Sequence, residues 1–127
     1  MGPMTAHKIY DELGPEIRHY VDVLVEHAAS ALWPERKSAL LSFWRGIAKA
    51  DPNDLAATLR ALGLCDISED RRADTLFRVV LTAYLERLAD TVITNPDQAS
   101  LFCYSLDPEH VALGDRWLAE HPEFKAG

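Results

Sequence analysis

Between Leu76 and Ile93 twelve of eighteen residues are apolar, and four of the polar ones, Arg78, Thr82, Glu86 and Asp90, fall at every fourth position. At 100° per residue that row drifts across about 120° of a helix, and only Arg87 and Thr91 interrupt the rest of the circumference. A helix apolar over so much of its surface cannot be covered by one neighbour. It must be the centre of a domain or half of a dimer interface. The pattern predicts a helix over about 69–93, with Ser68 as its cap and Glu69 and Asp70 in the first turn, where acid complements the helix dipole.

Proline punctuates what surrounds this element. Five of the seven prolines follow a residue suited to a helix start, as Gly14-Pro15, Trp33-Pro34, Asp51-Pro52, Asn95-Pro96 and Asp107-Pro108. The ring's fixed φ and missing N–H suit the first helical turn, and Asp or Asn before it can accept from the free amides. Ile17, Tyr20, Val21, Leu24, Val25 and Ala28 form an amphipathic stripe running to about Leu32, and Leu40, Leu41, Trp44, Ile47 and Ala48 form a second. Leu55, Ala56, Leu59 and Leu62 make a third, ended by Gly63, and shorter helices follow over about 96–105 and 108–120 before Pro122. Only the stretch from Ser100 to Leu106 could be read as a strand. The expected architecture is all-α, a single compact bundle of about six helices around the long central one. It occupies 13–127, and 1–12 form a poorly ordered N-terminal segment with no firm period, whose Gly2-Pro3 pair resembles a tag remnant.

A chain of 127 residues suits one domain, and 48% hydrophobic with 26% charged residues is the balance of an ordinary globule. No apolar run approaches the ~20 residues that span a bilayer and no secretory signal pattern opens the chain, so the expectation is a cytoplasmic protein without membrane contact. Net charge is −7, and residues 65–127 carry twelve acidic against six basic side chains. Such a surface repels phosphate backbones and disfavours direct binding of nucleic acid.

Candidate chemistry is sparse. Glu16, His19, Asp22 and Glu26 share one helix face, but a carboxylate-bridged metal pair needs a second Glu-x-x-His on another helix, so neither a metal nor another cofactor is expected. No serine or cysteine sits in a nucleophile pattern, so no catalytic residue is assigned there. Cys65 lies in a connector, whereas Cys103, between Phe102 and Tyr104, reads as a small buried hydrophobe. The six glycines are scattered and form no phosphate-binding loop.

The run Arg116-Trp117-Leu118-Ala119-Glu120-His121 resembles the arginine, four residues, histidine motif of HEPN-type ribonucleases, which are small α-bundles that cut RNA. The resemblance covers these six residues, with Trp117 where the family has a polar residue. It implies RNA cleavage by Arg116 and His121. A small-ligand or metal sensor is a further alternative.

The preferred expectation is a non-catalytic protein-interaction module, a small acidic inhibitor or regulator of antiactivator, antitoxin or immunity type. It would cover a surface of a protein partner such as a transcription regulator or toxin, with the chain itself a homodimer. Phe102, Tyr104, Leu106, Trp117 and Phe124, in the acidic last third, are the candidate partner-binding residues, because large aromatic and apolar side chains dominate binding hot spots.

Overall fold

The computed structural model describes residues 8–30, 32–46, 52–88 and 92–124, and contains no strand among them. The helices are α1 (Lys8–Asp11), α2 (Pro15–Ser30), α3 (Trp33–Gly46), α4 (Pro52–Ala61), α5 (Arg72–Arg87), α6 (Pro96–Cys103) and α7 (Pro108–Glu120), with 3₁₀ turns over Glu69–Arg71 and Pro122–Phe124. The stretch from Ser100 to Leu106 is the end of α6 and the turn after it, not a strand.

The central helix is α5. Leu76 and the whole run from Val79 to Leu85 are buried. They pack against Ile17, Val21, Leu24 and Ala28 of α2, Leu40 of α3 and Phe102 of α6 in one apolar cluster. One chain therefore encloses this helix, and a second copy is not needed to cover it. Its ends differ from the predicted span. The 3₁₀ turn comes first, with the Arg71 N–H donating to the Ser68 carbonyl at 3.0 Å, so Ser68 contributes backbone rather than a side-chain cap. The helix stops at Arg87, and Val92 and Ile93 lie in the connection to α6; Asp90 is outside the described residues. Apolar periodicity continues past the stop, but the next helix is anchored just beyond it. Asn95 accepts from the Gln98 N–H at 3.0 Å, and the Thr94 N–H donates to Gln98 Oε1 at 2.8 Å.

Helix α1 falls within residues 1–12, where the sequence shows no firm period; residues 1–7, with the Gly2-Pro3 pair, are outside the described residues. A single turn cannot support itself. Glu86 of α5 supplies the support, accepting from the backbone N–H of Ile9 at 3.3 Å and of Tyr10 at 3.1 Å. The Tyr10 hydroxyl donates to Asp22 at 2.6 Å, and the Arg18 and Arg87 guanidinium groups lie against its ring.

Helix α2 is capped from another helix. The Gly14 N–H donates to Thr58 Oγ1 at 2.8 Å and the Ile17 N–H to Asp54 Oδ2 at 3.0 Å, so α4 satisfies amides that a helix start leaves free. A Cβ on residue 14 would fall onto the Asp54 carboxylate, which is why glycine stands there. The local starts before Pro96 and Pro108 are as predicted, with Asn95 and Asp107 accepting from Gln98 and Glu109 amides. Asp51 lies outside the described residues, as do Ile47 and Ala48.

Candidate functional site

The corner between α6 and α7 is fastened to the centre of the molecule by hydroxyl groups. Thr82, fully buried on α5, donates to the Arg78 carbonyl at 2.7 Å and accepts from the Leu106 N–H at 2.8 Å. Ser105 Oγ accepts from the Asp107 N–H at 3.0 Å, and lies 3.2 Å from Thr82 Oγ1 and 2.7 Å from His110 Nδ1. The His110 ring meets Phe102 edge to face, and its Nε2 is 3.8 Å from Asp107 Oδ2. Burial pushes the His110 pKa below its ordinary value, while the Asp107 and Glu109 charges oppose that shift.

Serine, histidine and aspartate at such distances are the parts of a nucleophilic triad. Here the same three residues tie the corner together. Ser105 is 5% exposed, and its oxygen is within hydrogen-bond distance of the Asp107 amide, Thr82 Oγ1 and His110 Nδ1.

This corner forms one wall of an open groove of about 700 Å³. Ile9 of α1, Leu62 and Leu64 of the connector after α4, and Leu106 supply its apolar lining, with Pro108 at the start of α7. Glu86, Asp107 and Glu109 line it as well, and among the described residues no Lys, Arg or His does. Burial is graded across it: the leucines of the connector are half-buried and Leu106 is 40% exposed. A concave apolar surface bordered by carboxylates can hold an apolar segment and favours cations beside it.

A smaller cleft of about 310 Å³ lies between α4 and the start of α5, floored by Leu55, Ala56 and Leu59 and bordered by Arg60, Arg72 and Cys65. Among Trp33, Arg36, Tyr84 and Phe102 the free space is about 10 Å³, room for no more than about one water.

The structure separates the five candidate partner-binding residues. Phe102 is 6% exposed and belongs to the core. Tyr104 is 38% exposed but tied to α5: its hydroxyl donates to Asp74 at 3.1 Å, Arg78 lies over its ring at 3.9 Å, and Phe77 meets it edge to face. Trp117 stacks on His121 with ring centroids 3.9 Å apart. The Phe124 side chain lies outside what the structure describes. Leu106 alone of the four described side chains lines the groove. Sequence reasoning missed Ile9, Leu62, Leu64, Glu86, Asp107 and Glu109. The available signal was weak: a leucine on each side of Gly63, at the point where a helix ends.

At the end of α7, His121 Nδ1 lies 2.8 Å from the Trp117 carbonyl, so the histidine of the ribonuclease-like motif is engaged with its own helix terminus. Arg116 is exposed, and neither residue lines the two grooves above. Cys65 is exposed, whereas burial, with help from Asp115, pushes the Cys103 thiol up to about 11. Among the described residues no group of three or more His, Cys, Asp or Glu side chains is placed to hold a metal ion, and no helix is long and apolar enough to cross a membrane. No family model, curated protein or solved structure matches this chain.

Proposed function

We propose that this chain is a non-catalytic binding protein of inhibitor or regulator type, acting by occlusion: a segment of a protein partner lies in the groove between α1, α5 and the α6–α7 corner and is withheld from its own use. The observation that carries this reading is the groove itself, an apolar trough of about 700 Å³ with three carboxylates along it. Two of its walls are tied to α5 by hydrogen bonds, α1 through Glu86 and the corner through Thr82. A transcription regulator or toxin is the class of partner for which covering one surface would be regulatory. Homodimerisation loses its main support, because the helix whose breadth suggested it is enclosed within one chain.

The test is a photo-crosslinking side chain placed at position 106 and, as a control, at exposed Leu113, in the cell that makes the protein. A discrete protein crosslinked from 106 and not from 113, whose purified activity falls on adding the wild-type chain and not Leu106→Asp, is the expected result. Equal crosslinking at both positions, or inhibition untouched by Leu106→Asp, would overturn the proposal.

A further inference from the structure

We infer that the occupant of this groove is a short amphipathic helix carrying Lys or Arg beside its apolar anchors; this rests on the binding reading above and names the partner's chemistry. The apolar lining comes from three separate segments, Ile9, the Leu62–Leu64 pair and Leu106, so an occupant that covers it meets several apolar side chains at once. Anchors on successive turns of one helix face match such a trough. A helix also satisfies its own backbone, which matters because the described residues contain no strand whose edge could pair with an extended peptide.

Charge selects among amphipathic helices. Glu86, Asp107 and Glu109 line the trough, and among the described residues no Lys or Arg lines it. The Glu86 oxygens accept from the Ile9 and Tyr10 amides, and His110, whose Nε2 lies 3.8 Å from Asp107 Oδ2, is held toward its neutral form by burial. Covering Asp107 and Glu109 with a neutral or acidic segment would remove water from their carboxylates without return, whereas a lysine or arginine at the rim replaces that water with an opposite charge. The half of the chain from residue 65 onward, with twelve acidic and six basic side chains, attracts such a segment before contact.

The experiment uses three fluorescent peptides of about 18 residues with one leucine face and Lys, Gln or Glu on its flanks, titrated by anisotropy with the full chain. The Lys peptide is expected to bind about tenfold or more tighter than the Glu peptide at low salt, with the gap closing as salt screens it. Leu106→Asp, at an exposed position and checked for retained helicity, should abolish binding, and Glu109→Lys should narrow or invert the preference. Equal binding of all three peptides, or of none, overturns the charge assignment while leaving the crosslinking test of the occlusion reading standing. Lys-peptide binding that survives Leu106→Asp overturns the groove as the site. A dimer seen by sedimentation and dissolved by Leu106→Asp would assign the trough to a second copy and overturn the inference.

Discussion

Single residues decide how closely the last two helices meet. A methyl group on Gly114 would stand 2.5 Å from the Ala99 carbonyl oxygen and 2.8 Å from Cys103 Sγ, so α6 and α7 cross at a point where only hydrogen fits. Gly114→Ala should cost about 1–3 kcal/mol through overpacking, despite the better helix propensity of alanine, and a lowered urea midpoint at unchanged m-value measures it. His110 makes the corner sensitive to acid. Its folded pKa is below its ordinary value of 6.5, so in the window between the two the unfolded chain binds a proton that the folded chain refuses. Its contribution is complete above pH 6.5 and declines as pH falls toward the folded value. Denaturation curves at pH 7.5 and 5.5 should show a loss of stability at the lower pH that shrinks in His110→Gln; an unchanged loss would exclude His110 as its source.

At the scale of helices, polar side chains buried on one element finish another. Thr82 is the polar residue on the buried run of α5, and it accepts the Leu106 amide that opens the α6–α7 corner. Thr82→Val keeps the shape and removes that acceptor, leaving a part-buried N–H to find another partner. The expected cost is about 1–3 kcal/mol, with faster amide exchange confined to the corner. Uniform loss of protection through α5 instead would show that Thr82 acts through packing. Asp54 and Glu86 do comparable work for α2 and α1, and in each case a carboxylate from a distant part of the chain accepts helix-start amides. None of these pairings has a spacing that local pattern could reveal.

For the whole molecule, burial concentrates on α5, which touches the apolar cluster over nearly its full circumference. The amides of Val79–Leu85 should therefore be the slowest to exchange, opening only with global unfolding, while α1, a single turn, exchanges early. Hydrogen exchange read by NMR checks this, and protection centred on α7 would contradict it. The same enclosure bears on the proposed function: with its most buried helix used internally, the surface that a partner would meet under that proposal is a trough at the edges of the core rather than a bare helical face.

The all-α class, the central helix and the starts at Asn95-Pro96 and Asp107-Pro108 were legible in the sequence because they depend on interactions within a few residues: apolar periodicity, proline's φ and an adjacent acceptor. The end of α5, the existence of α1 and the burial of Phe102 were not, since each depends on what packs against it. The candidate groove belongs wholly to this second kind. Leu106 could be suspected from its residue type, but Ile9, Leu62, Glu86 and Glu109 become neighbours only when α1 docks on Glu86 and the corner docks on Thr82. Local chemistry determined which segments would be helices; long-range burial and hydrogen bonding determined which surfaces those helices leave exposed together, because that depends on contacts between residues far apart in the chain.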